Sequence, residues 1–246
     1  ALAFTQAADE TGIPIILQAG PSCRAHTPIP ILGKMFRYLA GQTKTNICCH
    51  VDHGYTLDEC YEGIDSGFTS VMFDGSKLTL KENIKISKKI SSRAHKHNIS
   101  VEGEIGFVGY DNGKISEGTN IEDAVTFANK SNIDAMAISV GNTHLQTSKK
   151  ASIDFNKINL IEAKTKIPLV LHGSSGIPIQ QRKKLARKTK IAKLNIGTEI
   201  RMTFGEALRK NLKNNPKTYD RLQLLKPTIK DLTKVTKKII KQIGPN

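Results

Sequence analysis

Pro168-Leu-Val-Leu-His-Gly-Ser-Ser-Gly-Ile-Pro178 decides the fold. A short apolar, β-prone run ends in a histidine, a tip of small residues follows, and a helical pattern over 178–189 begins at the proline. The same order recurs on both sides of it. Comparable runs occupy 14–20, 46–53, 70–76, 100–106, 135–142 and 192–198, and helical patterns fill 80–97 and 121–131. Strands alternating with helices predict βαβ units and a parallel sheet. Seven such units in about 200 residues, with no dinucleotide-binding glycine fingerprint after the first strand, favour a closed barrel over an open sheet. The expected class is therefore α/β, a (β/α)8 TIM barrel, as a single domain over 1–246. Leu2, Phe4, Ala7 and Ala8 read as the apolar face of a helix before the first run, so the strand that opens such a barrel is missing.

Composition narrows the function. Hydrophobic residues make up 38% and charged residues 24% of the 246, which fits a globular chain with a sizeable core. No apolar run reaches the roughly 18 residues of a membrane span. Cys23, Cys48, Cys49 and Cys60 form no CxxC pair, so reduced thiols and a cytoplasmic location are expected. The net charge of +15 leaves nucleic acid, anionic surfaces and phosphorylated small molecules open. Much of the excess falls in the lysine-rich 226–241, whose apolar spacing is that of an amphipathic helix with a solvated outer face. The absence of Trp and an aromatic content of 5% argue against nucleic-acid stacking.

The chemistry-bearing residues fall at or just after the expected strands, where a barrel gathers its active site. His53, His144 and His172 are three imidazoles on separate tips, the donor set of a catalytic zinc with one position left open. Asp52, beside His53, suits general acid–base work. Asp74 and Glu104 are carboxylates that either bind the metal or orient its ligands. His26, His50, His95 and His97 read as structural or exposed. Two tips, 172–178 and 195–199, pair small residues with a following helix and so suit an anion.

Those residues stand in motifs with a known counterpart. Through Val51-Asp-His-Gly54, Gly67-Phe-Thr-Ser-Val-Met-Phe-Asp-Gly-Ser76, Val101-Glu-Gly-Glu-Ile-Gly106, Val140-Gly-Asn-Thr-His144, Pro168-Leu-Val-Leu-His-Gly-Ser-Ser-Gly176 and Lys193-Leu-Asn-Ile-Gly-Thr-Glu199, the chain resembles the class II, metal-dependent ketose-bisphosphate aldolases. The resemblance implies reversible cleavage of a fructose- or tagatose-type 1,6-bisphosphate to dihydroxyacetone phosphate and glyceraldehyde 3-phosphate. It implies Zn2+ on His53, His144 and His172, and Asp52 as the proton-transferring residue. Glu104 and Asp74 match carboxylates that hold the metal in a second position. Asn195 would contact the dihydroxyacetone phosphate moiety, and Gly173, Ser175, Gly197 and Thr198 would cradle its phosphate with a monovalent cation. A homodimer or homotetramer is expected, with Arg221 reaching a neighbouring subunit's substrate.

Three departures stand out. Leu145 follows the second histidine where the family has Gly, and its side chain is expected to turn away from the cradle. The loop at Gly109-Tyr-Asp-Asn112 lacks the family's glutamates, leaving Asp111 as a substitute. Tyr219-Asp-Arg221 lacks the family's proline. Together with the missing strand, these keep open an aldolase-like protein that binds metal or phosphate without efficient turnover.

Overall fold

The computed structural model describes residues 1–110 and 116–245. Asp111 and Asn112 lie outside the described residues. Helix α1 (Leu2–Thr11) leads into β1 (Ile15–Ala19), α2 (Pro21–His26) and α3 (Ile29–Gly41). Next come β2 (Ile47–Gly54), α4 (Leu57–Asp65), β3 (Ser70–Phe73), α5 (Leu80–Ala94) and β4 (Ser100–Ile105). The chain continues through α6 (Ile121–Lys130), β5 (Ala135–Ile138), α7 (Phe155–Lys164), β6 (Leu169–Leu171), α8 (Ile179–Lys188) and β7 (Ile191–Leu194). Helices α9 (Thr198–Asn214), α10 (Arg221–Leu225) and α11 (Thr228–Ile243) complete it.

Local chemistry sets these boundaries. Thr56 and Thr79 each close a capping box with the glutamate three residues on, which starts α4 and α5 abruptly. The helix expected over 80–97 ends as α-helix at Ala94. It tightens into a 3-10 turn, His95–His97, before Asn98 takes a left-handed conformation. α11 is amphipathic as its spacing predicts, burying Ile239 and Ile240 while its lysines face outward. No helix among the described residues is long and apolar enough to cross a membrane.

The seven strands run parallel in chain order, β1 to β7. In a flat sheet β2 and β7 would lie about 24 Å apart, at roughly 4.8 Å per strand. Yet Asn195, just past β7, donates from Nδ2 to Asp52 Oδ1 on β2 at 3.1 Å. The sheet is therefore curled into most of a barrel. Val51, Val71, Val101, Met136, Ile138, Leu169, Leu171 and Ile191 face outward into the core beneath the helices. Among the alternate, inward-pointing residues, Met72, Ala137 and Val170 are apolar, but His50, Asp52, Ser70, Glu102, Glu104 and His172 are polar and all buried.

The barrel is open at one seam, where the strand missing from the sequence pattern is expected. No pairing joins β1 to β7 among the described residues, and a slot of about 490 Å3 lies where a strand fits between them. Ile15, Ile16, Lys193 and Leu194 line it from the two strands, and Ile239, Ile240 and Ile243 from α11. An eight-stranded barrel of this kind needs one more strand there, the one missing from the sequence pattern.

Candidate metal-dependent active site

The strand ends gather His53, His144 and His172 so that one ring nitrogen from each lies within 4.8 Å of the others. His53, Asp74 and Glu104 form a second such group, sharing His53. Both rings with buried partners are oriented by carboxylates. Asp74 Oδ2 lies 2.8 Å from His53 Nδ1, leaving Nε2 as the free nitrogen. Glu102 Oε1 lies 2.9 Å from His172 Nε2, which turns Nδ1 towards Glu104. That is how ligating imidazoles are usually held, with the second nitrogen bonded to a carboxylate. His144 is fixed differently: its backbone N–H donates to the Gly109 carbonyl at 2.8 Å, and Tyr110 stacks on its ring.

The donors fit a divalent cation. His172 Nδ1 and Glu104 Oε2 are buried and make no hydrogen bond, although they lie 3.0 Å apart. Beyond that ion pair neither atom has a hydrogen bond, and buried polar atoms with unmet capacity are costly; a metal between imidazoles and carboxylates removes that cost.

Electrostatics follow from this crowding. Burial disfavours charge on His172, but Glu102 and Glu104 outweigh it and raise its pKa to about 10. Burial, helped by His172 and His53, lowers that of His144 to about 3. Asp74 is driven down to about 2, its hydrogen bond to His53 overcoming its burial. Burial raises the pKa of Asp52 as well, yet His53, Lys193 and His172 outweigh it and keep the carboxyl below the usual range. Asp52 also accepts from Asn195 Nδ2 at 3.1 Å and Gln18 Nε2 at 3.4 Å, an environment made for the carboxylate.

The two small-residue tips are stitched together beside it. Ser174 N–H donates to the Asn195 carbonyl, and Glu199 N–H, in the first turn of α9, donates to Ser175 Oγ. Gly173 has φ 61, and a Cβ there would lie 2.2 Å from the Thr143 carbonyl oxygen, so only glycine fits between the His144 and His172 tips. Gly197 and Thr198 form the N-terminus of α9. Leu145 has φ 58, a conformation glycine adopts freely, and its residue is 55% exposed.

Arg221 is the candidate the structure does not bring to the cluster. It stands exposed at the start of α10, which packs on α9 and α11. Sequence reasoning, in turn, missed the interior partners Lys193 and Arg24, while His50, read as structural or exposed, is buried against Ser70. Lys193 Nζ donates to Glu102 Oε2 at 2.8 Å, His50 lies 3.7 Å from the same oxygen, and Arg24 is buried against β2. The period-2 spacing of Lys193 with Asn195 was the available signal for Lys193.

A curled parallel sheet with imidazoles and carboxylates at its strand ends, beside an anion-ready pair of tips, is the arrangement of a barrel enzyme with a candidate metal centre. The chain belongs to the class II fructose-bisphosphate aldolase family, whose model matches residues 1–246. Among curated relatives, a 6-phospho-5-dehydro-2-deoxy-D-gluconate aldolase from Shouchella clausii is 37% identical over 80% of this chain and 68% of its own. A fructose-bisphosphate aldolase from Staphylococcus aureus is 32% identical over 98% of this chain and 87% of its own. The crystal structure of the YdjI aldolase from Escherichia coli K12 superposes with a TM-score of 0.82 at 26% identity, covering 99% of this chain and 86% of that one.

Proposed function

We propose that this protein is a zinc-dependent aldolase that cleaves a phosphorylated ketose to dihydroxyacetone phosphate and an aldehyde. The observation that carries the reading is the convergence of His53, His144 and His172 beside Asp52, with His172 Nδ1 and Glu104 Oε2 facing each other 3.0 Å apart in the same buried cluster. A divalent cation bound there would supply Lewis-acid polarisation of the ketose carbonyl. The rest falls to the chain. Asp52, held as a carboxylate, takes the proton from the hydroxyl that becomes the aldehyde and returns it in the reverse direction. Asn195 orients both Asp52 and the three-carbon end of the substrate. The tips at Gly173–Ser175 and Gly197–Thr198 receive its phosphate through backbone N–H groups and the start of α9.

Fructose and tagatose 1,6-bisphosphates are the first substrates to test. A second reading, 6-phospho-5-dehydro-2-deoxy-D-gluconate, is favoured by the name of the 37%-identical relative. The test is dihydroxyacetone phosphate release from all three compounds, by zinc-loaded and chelator-stripped protein. Release that requires zinc supports the aldolase reading, and the preferred compound assigns the substrate. No release from any of them, with zinc bound, would leave a metal-binding protein without turnover.

A further inference from the structure

Adjacent residues of a strand point to opposite faces, so Asp52 and His53 should not both reach one site. β2 obeys the alternation as far as Asp52. His50 faces inward, against Ser70 and Lys193, and Asp52 faces inward against Asn195, while Val51 packs outward on Gly63 of α4. His53 should then face the helices. Instead its ring centroid lies 4.5 Å from that of His172 and 5.2 Å from that of His144.

A bulge makes the difference. Val51 pairs with Val71 and Gly54 with Phe73, so β2 carries one residue more than β3 across this stretch. His53 absorbs the excess with φ 53, a left-handed conformation that a side chain disfavours. Something must hold it there.

Arg24, on α2, meets the bulge from behind with a side chain only 5% exposed. Its Nη1 donates to the carbonyls of Ala19 at 2.7 Å and Asp52 at 2.5 Å, and its Nη2 to the carbonyl of His53 at 3.0 Å. Nη2 also lies 3.4 Å from Glu59 Oε1. The other Glu59 oxygen accepts from the N–H groups of Tyr55 and Thr56. One planar fork and its counter-ion therefore grip the backbone from Asp52 to Thr56 and tie it to the end of β1.

We infer that Arg24 is a positioning residue: its guanidinium fixes the bulge that presents the Asp52 carboxylate and the His53 imidazole to the site together. This rests on the proposed roles of His53 and Asp52. A lysine keeps the charge but not the planar fork that reaches three carbonyls.

The test compares wild type with Arg24→Lys and Arg24→Met, measuring zinc affinity by chelator competition, kcat and KM of the zinc-saturated protein, and Tm. Both variants are expected to bind zinc at least tenfold more weakly and to lose at least tenfold in kcat, with KM within threefold. A variant that only loosened the fold would melt earlier yet keep wild-type zinc affinity and kcat below its Tm, and that result overturns the inference. If Arg24→Met does not fold, Arg24→Lys decides by the same criteria. Failure of the wild type itself to bind zinc is seen before any variant is compared. It would overturn the metal reading, and the role given to Arg24 with it.

Discussion

His172 ties the site's electrostatics to its chemistry. With its pKa raised to about 10, the metal-free ring carries a proton at neutral pH, and a metal at Nδ1 must displace it. Zinc binding should therefore release a proton and weaken about tenfold per unit as pH falls below 10, as calorimetry in buffers of different ionisation enthalpy would show. Stability of the metal-free protein has the opposite slope. A raised pKa stabilises fully below the ordinary value of 6.5, and that contribution is lost as pH rises through about 10. Asp52 separates proton transfer from metal binding. Asp52→Asn should retain zinc while turnover falls about 10²–10⁴-fold, and unchanged turnover would make Asp52 structural. Leu145 is a simpler case. A left-handed leucine costs roughly 1–2 kcal/mol, partly offset by the about 0.5–1 kcal/mol of backbone entropy a glycine would lose. Leu145→Gly should thus leave stability equal or up to about 1.5 kcal/mol higher. Because the side chain is exposed, it should also move KM less than tenfold, and a larger gain would show that Leu145 crowds the cradle.

At the scale of elements, the loops after β5 and β6 act as one piece because Gly173 lets them touch. Gly173→Ala forces a Cβ into the Thr143 carbonyl and a left-handed backbone on alanine. It should cost at least about 1–3 kcal/mol in denaturant unfolding and weaken zinc binding, since His144 and His172 flank the contact. Wild-type values for both would show that the tips move independently. Such contacts explain what was legible in advance. The strand–tip–helix rhythm and the histidines at strand ends follow from local composition, and each expected strand appears within a few residues of its place. Arg24 was invisible because its role depends on a bulge, and a bulge leaves no mark in a period-2 pattern. Lys193 was hidden for a related reason: an inward-facing polar residue reads like a solvent-facing one until the sheet is known to curl.

For the whole molecule, the unpaired edges of β1 and β7 set the pattern of stability. Among the described residues their seam-facing amides have no strand partner, whereas β3, β4 and β5 are paired on both sides. Hydrogen exchange should therefore be fastest in β1 and β7 and slowest in β3 to β5, and uniform protection across the seven strands would show that the slot is closed in solution. The interior carries a further consequence, one that concerns engineering. Lys193, Glu102, His50 and His172 fill with charge and hydrogen bonds a space that Val, Ile and Leu fill in most barrels. Replacing a buried ionic cluster by well-packed apolar side chains is often neutral or stabilising. Selection for heat resistance alone would thus drive this barrel towards an oily centre. Each step would loosen the hold on His172, so the most durable descendants would be the ones with the least to do.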